Sequence, residues 1–349
     1  MNRRTFLRAG GLGGASALAG CTGLFETRSA RVPPLLDERP NAVYVPTHTE
    51  GMGMLGTAET DGLKFMLNYS YPHRFWNANG SNVEFSEVSG DVHLMATVWD
   101  TETDIVLPET GLSVDVLKEG ESVGEEVIYP MLSQPMGFHY GSNFTLDGDG
   151  QYTGRVQVGG MSTRRTGAFA DRFAEPASVD IDFSYEREKR DRLPFQNRED
   201  AGERGAVEPM DMPVRPASFA PARDDLPGEM RGEVTTGDAV LVVTVLDSPP
   251  EGVEGDGQYL AVSARTPYNR MILPAMGLEG TLARGGEAAF EGTLRRTLDP
   301  NLNYHYGAVV PSVESGDELT LSVTTMPQVA RHEGYETAFR QMPDRTLTL

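Results

Sequence analysis

Val179-Asp180-Ile181-Asp182-Phe183-Ser184-Tyr185 alternates apolar and polar residues without a break. Successive side chains of an extended strand point to opposite faces, so such a run buries one face and wets the other. Leu319-Thr320-Leu321-Ser322-Val323 repeats the pattern, and Tyr152, Val156 and Val158 line one face of the stretch after Gly150. From Val43 onward, short segments of this kind lie between clusters of Gly, Asp, Asn and Pro. No segment shows a long apolar recurrence at i, i+3, i+4 and i+7. Many short strands without amphipathic helices predict an all-β chain of antiparallel sandwiches.

The two halves share a repeat. A shift of 166 residues brings Leu94 onto Leu260, Leu107-Pro108 onto Leu273-Pro274 and Gly120-Glu121 onto Gly286-Glu287, without a gap. The same shift brings His139-Tyr140-Gly141 onto His305-Tyr306-Gly307. Between the copies, Glu186 to about Gly237 is charged and proline-bearing, as in Glu186-Arg187-Glu188-Lys189-Arg190-Asp191-Arg192 and Asp211-Met212-Pro213-Val214-Arg215-Pro216. It reads as an inter-domain linker partly draped over a neighbour, although a solvated strand end accounts equally well for the charge run. The expected organisation is residues 43–186 as the first sandwich, 187–236 as linker and 237–349 as a second, diverged sandwich.

Composition narrows the function. The 349 residues carry 51 acids against 30 bases, a net charge of −21. That balance argues against nucleic acid as a partner, because phosphate binding needs positive surface, and against a polybasic membrane patch. A single cysteine excludes an intrachain disulfide, a four-cysteine zinc site and a cysteine-held iron–sulfur cluster. Lysine occurs only at Lys64, Lys118 and Lys189. An acid-rich, lysine-poor chain is expected of a halophilic protein, since molar salt shrinks the Debye length to about 3 Å and mutes self-repulsion.

The N-terminus reads as an address. Arg3-Arg4-Thr5-Phe6-Leu7-Arg8 resembles a twin-arginine export signal, and Leu18-Ala19-Gly20-Cys21 resembles a lipobox, cut before a cysteine that takes lipid. Residues 1–20 are then a signal peptide and 21–42 a tether. Removing them takes away Arg3, Arg4 and Arg8 and no acid, so −21 becomes −24. The mature chain is expected outside the cell, held to membrane lipid through Cys21. Asn68, Asn79 and Asn143 head Asn-x-Ser/Thr sequons, with Asn79, in a Gly-rich loop, the expected glycosylation site.

No nucleophile elbow, zinc-protease helix, phosphate loop or dinucleotide fingerprint is present, so no enzyme is expected. What remains is histidine beside methionine. Pro130-Met131-Leu132-Ser133-Gln134-Pro135-Met136-Gly137-Phe138-His139 puts two thioethers near an imidazole, a donor set that suits copper and, less specifically, iron. The alternative is structural, with Met131 and Met136 as core filler. The second copy has Thr297 and Leu302 at their places, and Leu for Met conserves volume. In an extended strand His48, Glu50, Met52 and Met54 would share one face, and His73 lies among aromatics in Tyr71-Pro72-His73-Arg74-Phe75-Trp76. His93, matched by Tyr259, reads as a structural strand residue, and His332 as a surface loop residue.

Val43-Tyr44-Val45, Glu50-Gly51-Met52, Pro130-Met131 and above all His139-Tyr140-Gly141 resemble the periplasmic iron-transport-associated proteins. These are dimerising, immunoglobulin-like sandwiches that bind copper or iron beside a membrane permease. The resemblance implies two tandem immunoglobulin-like sandwiches, with Met131 and His139 as metal ligands and a homodimer and a permease as partners. Where the family has a His-x-Glu pair, this chain reads Phe65-Met66-Leu67-Asn68, with Met66 as a soft substitute. A further family histidine follows the strand after His-Tyr-Gly. There the first repeat has Met161-Ser162-Thr163-Arg164-Arg165, and the second has His332, beside His305. The expected function is a lipid-anchored, non-catalytic metal-binding accessory protein for iron or copper uptake, with Met136, His73 and Met66 assisting Met131 and His139. The rival is a structural or adhesive surface module that has lost its metal.

Overall fold

In the computed structural model, which describes residues 32–349, the alternating segments are strands. Ala177–Tyr185 buries Val179, Ile181, Phe183 and Tyr185 and exposes Asp180, Asp182 and Ser184. Each such buried side chain contributes on the order of 1.5–3 kcal/mol, an upper figure because unfolded chains are already partly collapsed. The protein is all-β. Its only helices among the described residues are one turn at Arg187–Arg190, inside the charge run, and two 3-10 turns. No helix among the described residues is long and apolar enough to cross a membrane. Arg3, Arg4 and Cys21 lie outside the described residues.

Two antiparallel sandwiches are present within Pro34–Leu349, which folds as one compact unit. The first packs a sheet around Leu63–Ser70, Val92–Asp100, Gly137–Phe144 and Tyr129–Ser133 against a four-stranded sheet, and the second repeats this with Ala239–Leu246, Gln258–Arg265, Asn303–Val310 and Arg295–Asp299. The first copy also inserts a hairpin, Phe75–Asn79 with Asn82–Ser86, where the second has a loop. In both copies the tyrosine of His-Tyr-Gly turns into the core and ties the Leu-Pro loop. Tyr140 Oη donates to Leu107 O at 3.2 Å, and Tyr306 Oη donates to Leu273 O at 2.7 Å.

The halves exchange short strands. Arg164–Arg165, from the first half, pairs in parallel with Arg295–Asp299 of the second. Ala330–Arg331, from the second half, pairs in parallel with Tyr129–Ser133 of the first and antiparallel with the inserted hairpin at Trp76. One apolar cluster consequently runs through both sandwiches.

The stretch expected to be a linker divides: residues 194–215 pack on the first half, whereas Glu229–Thr236 is an edge strand of the second half's sheet, paired with Ala239–Leu246, so the second sandwich begins before residue 237. Phe195–Asn197 forms a two-stranded sheet with His48–Glu50. Met210 N–H donates to Pro135 O at 2.9 Å, Val207 N–H to Gln134 Oε1 at 2.8 Å, and Arg215 Nη2 to Met136 O at 2.8 Å.

Candidate metal centre

Strand register brings the central residues onto one sheet face. His139 lies opposite Met131, and Asn143 opposite His93. His139, Gly141 and Asn143 share a face because they alternate along one strand. The inserted hairpin's approach segment adds His73, and the exchanged strand leads directly into His332. Ligand atoms of His73, His93 and His332 lie within 4.8 Å of one another. His332 Nε2 is 3.3 Å from Met131 Sδ, and the His139 and His332 rings are 5.3 Å apart.

Second contacts fix which nitrogen faces inward. Asn143 Nδ2 donates to His73 O at 2.8 Å, which orients the amide so that Oδ1 accepts from His93 Nδ1–H at 2.8 Å. His139 Nδ1–H donates to Gly137 O at 3.0 Å. His73 Nδ1 lies 3.5 Å from Glu50 Oε2, and Glu50 Oε1 is 3.0 Å from His48 Nε2. The Nε2 atoms of His73, His93 and His139 are buried with no hydrogen-bond partner. An oxygen acceptor on Nδ1 and a bare Nε2 is the arrangement that prepares an imidazole for a metal.

Burial keeps the rings of His93, His139 and His332 neutral. It lowers His139 to about 3, against the opposing bond to Gly137 O. It also pushes His93 and His332 well below the ordinary histidine range, with the neighbouring imidazoles adding to the shift. Burial raises the Glu50 carboxyl, but the bonds from His48 and His73 outweigh it and hold the group below its ordinary value. At His93, His139 and His332 neutral imidazoles converge on the Met131 thioether without competing protons. Gly141 leaves the room: a Cβ there would come within 2.7 Å of His93 Nε2 and 3.1 Å of Met131 Sδ.

The structure thus brings together Met131, His139, His73 and His332, and adds His93. Met66 is not among them, because its side chain is in the hydrophobic core. Met136 lines the cleft of about 90 Å³ that opens onto His73 and His332. His332 is not a surface residue and is not paired with His305, since strand exchange delivers it to the other half. His93, expected to be a structural strand residue, lies in the histidine cluster. Its sequence signal was Tyr259 at the matching repeat position, a substitution that marks where the halves differ in chemistry. Met54 leaves the shared face with His48 and Glu50 and is 56% exposed, because a new strand starts at Gly53.

The second half closes the corresponding position with hydrogen bonds. His305 Nδ1–H donates to Asn303 O, and Tyr259 Oη bonds Nε2, both at 3.0 Å. Arg164 bonds Thr297 Oγ1, Tyr259 Oη and Gly307 O at 2.9, 2.7 and 2.9 Å. A fixed cation with satisfied partners stands there, so His305 offers no free lone pair. Among the sequon residues, Asn68 is fully buried and Asn143 is committed to His93 and His73, which leaves only Asn79 exposed for a glycan.

Residues 224–348 match a family described as a domain of unknown function, DUF7350. No curated protein matches the chain. Among solved structures, FetP of uropathogenic Escherichia coli in its as-isolated form is 20% identical over 39% of this chain and 96% of its own, with a TM-score of 0.31. A copper-bound variant of Campylobacter jejuni P19 is 19% identical over 39% of this chain and 98% of its own, also with a TM-score of 0.31.

Proposed function

We propose that the first sandwich is a metal-binding accessory module that holds one ion through His73, His93, His139, His332 and Met131. The observation that carries this is the set of three buried, unpartnered Nε2 atoms, each on a ring whose Nδ1 faces an oxygen. Unpaired buried nitrogen costs about 1–3 kcal/mol per group, so a fold that retains three in one place has a use for them. Imidazole and thioether together favour copper over iron. The second sandwich is structural in this reading, and its strand completes the first one's site. The role is binding and hand-over without catalysis. It is placed outside the cell after twin-arginine export, anchored through Cys21, with a membrane permease as the receiving partner for iron or copper uptake.

The test is a copper titration of wild type, His93→Ala and His305→Ala. Wild type and His305→Ala should fill the imidazole cluster alike, with one equivalent, and His93→Ala should lose that affinity by about 10- to 100-fold or more. Equal binding by all three overturns the assignment. Retention of a Cys21→Ser chain in the membrane at wild-type level would overturn the anchor.

A further inference from the structure

Four methionines, Met52, Met95, Met136 and Met210, line the cleft leading to the imidazoles, together with Glu50 and the paired Arg74 and Glu333. Met95 and Met136 come from the sandwich and are almost fully buried, at 3% and 2% exposure. Met52 and Met210 come from segments outside the sandwich sheets. Their positions are pinned where Gly51 N–H donates to Pro194 O at 2.8 Å and Met210 N–H to Pro135 O at 2.9 Å. A larger cleft of about 560 Å³ adjoins, sharing Glu50, Pro135 and Met210 with the first.

Methionine often fills irregular apolar space, and the repeat provides an internal control for that explanation. The places of Met95 and Met136 hold Ala261 and Leu302 in the second half. Both of those are buried in a closed apolar cluster with Tyr259. The fold is therefore satisfied at these two positions without sulfur. Sulfur stands there only in the half that has bare imidazoles.

We infer that these four thioethers form a second, sulfur-only site for a monovalent soft cation, Cu(I), beside the imidazole cluster and feeding it. The inference rests on reading that cluster as a metal centre. Thioethers are neutral, soft donors, so they take Cu(I) without releasing a proton and discriminate against harder divalent ions. Passage inward is ligand exchange. A copper–sulfur bond breaks as a copper–nitrogen bond to a neutral imidazole forms, with no change of oxidation state and no proton transferred. Met210 lines both clefts and is the first thioether met from the outer one.

The experiment uses the full chain with methyl-labelled methionine in molar sodium nitrate, because chloride would precipitate silver. Ag(I) is the redox-silent probe of the sulfur site, and Cu(I) loading is followed separately. Wild type should bind Ag(I) beyond the cluster's own equivalent, with shifts at cleft methionine methyls. Met52→Leu/Met136→Leu/Met210→Leu should lose that extra Ag(I) and load the cluster with Cu(I) about 10- to 100-fold more slowly, while the cluster itself reaches the same final occupancy. His93→Ala should keep the methionine-dependent Ag(I) while losing cluster copper, so failure of the cluster assignment and failure of the sulfur site give different patterns. A triple variant that binds Ag(I) and loads Cu(I) like wild type overturns the inference. Should that variant not fold, Met136→Leu alone, which repeats the Leu302 solution of the other half, must still weaken Ag(I) binding. Unchanged Ag(I) binding there overturns the inference equally.

Discussion

Gly141 and Asn143 act on the centre without donating to it. An alanine Cβ at Gly141 would press on His93 Nε2 at 2.7 Å and Met131 Sδ at 3.1 Å. Gly141→Ala is therefore expected to cut copper affinity by about 10- to 100-fold while the chain still folds, since the crowded atoms are the far ends of side chains. A copper titration with a melting curve checks this, and undiminished affinity would mean that His93 and Met131 do not both reach the ion. The histidines also set a pH dependence. Burial holds His305 down at about 4 and His139 at about 3, while an unfolded histidine titrates near 6.5. Above about 6.5 both states are neutral and these groups contribute nothing to the slope. As pH falls from about 6.5 towards 4 the unfolded chain binds protons that the folded chain refuses, so stability declines. Denaturant unfolding of the metal-free protein should show that decline, and His305→Gln should flatten it. An unchanged slope in the variant would show that His305 is not one of the groups responsible.

At the level of elements, the exchanged Ala330–Arg331 strand determines where His332 goes. Arg331 is fully buried, donates to Ala338 O at 2.6 Å and Pro327 O at 3.3 Å, and lies 5.8 Å over the Phe339 ring. His332 N–H donates to Leu132 O at 3.1 Å, one residue from Met131. Arg331→Met leaves two buried carbonyls without their donor, offset in part by removal of a desolvated charge. A loss of about 2–4 kcal/mol is expected, together with weaker copper binding because the next residue, His332, is a ligand in the proposed centre. Lowered stability with unchanged copper affinity would show that the guanidinium anchors the segment but does not position His332.

For the whole molecule the governing quantity is charge. With −21 on the chain and only three lysines, self-repulsion grows as screening falls. The melting temperature is expected to drop markedly between molar and millimolar salt, and a flat profile over that range would remove the halophilic reading. The contacts between halves include Arg296 Nη1 with Glu109 Oε2 at 2.5 Å. This pair is partly exposed and so contributes little by itself; strand exchange, the shared apolar cluster and buried bonds such as Arg74 Nη2 to Glu333 Oε2 at 2.5 Å join the sandwiches.

Local pattern was enough for much of this. Period-two alternation such as that of Val179 to Tyr185 determined the all-β class, because it depends only on neighbours along one strand. The run from Pro130-Met131 to His139-Tyr140-Gly141 put a thioether and an imidazole within one hairpin, and so pointed to one corner of the cluster. The tertiary structure alone decided the rest. Strand exchange carries His332 into the other half, the inserted hairpin brings in His73, and register sets His93 beside Asn143. These are contacts between residues far apart in the chain, selected by the burial of whole sheet faces. No spacing within a single segment encodes them. Met66 looked like a ligand along the chain and became core for the same reason: the face on which a strand residue lands is settled by what packs against it.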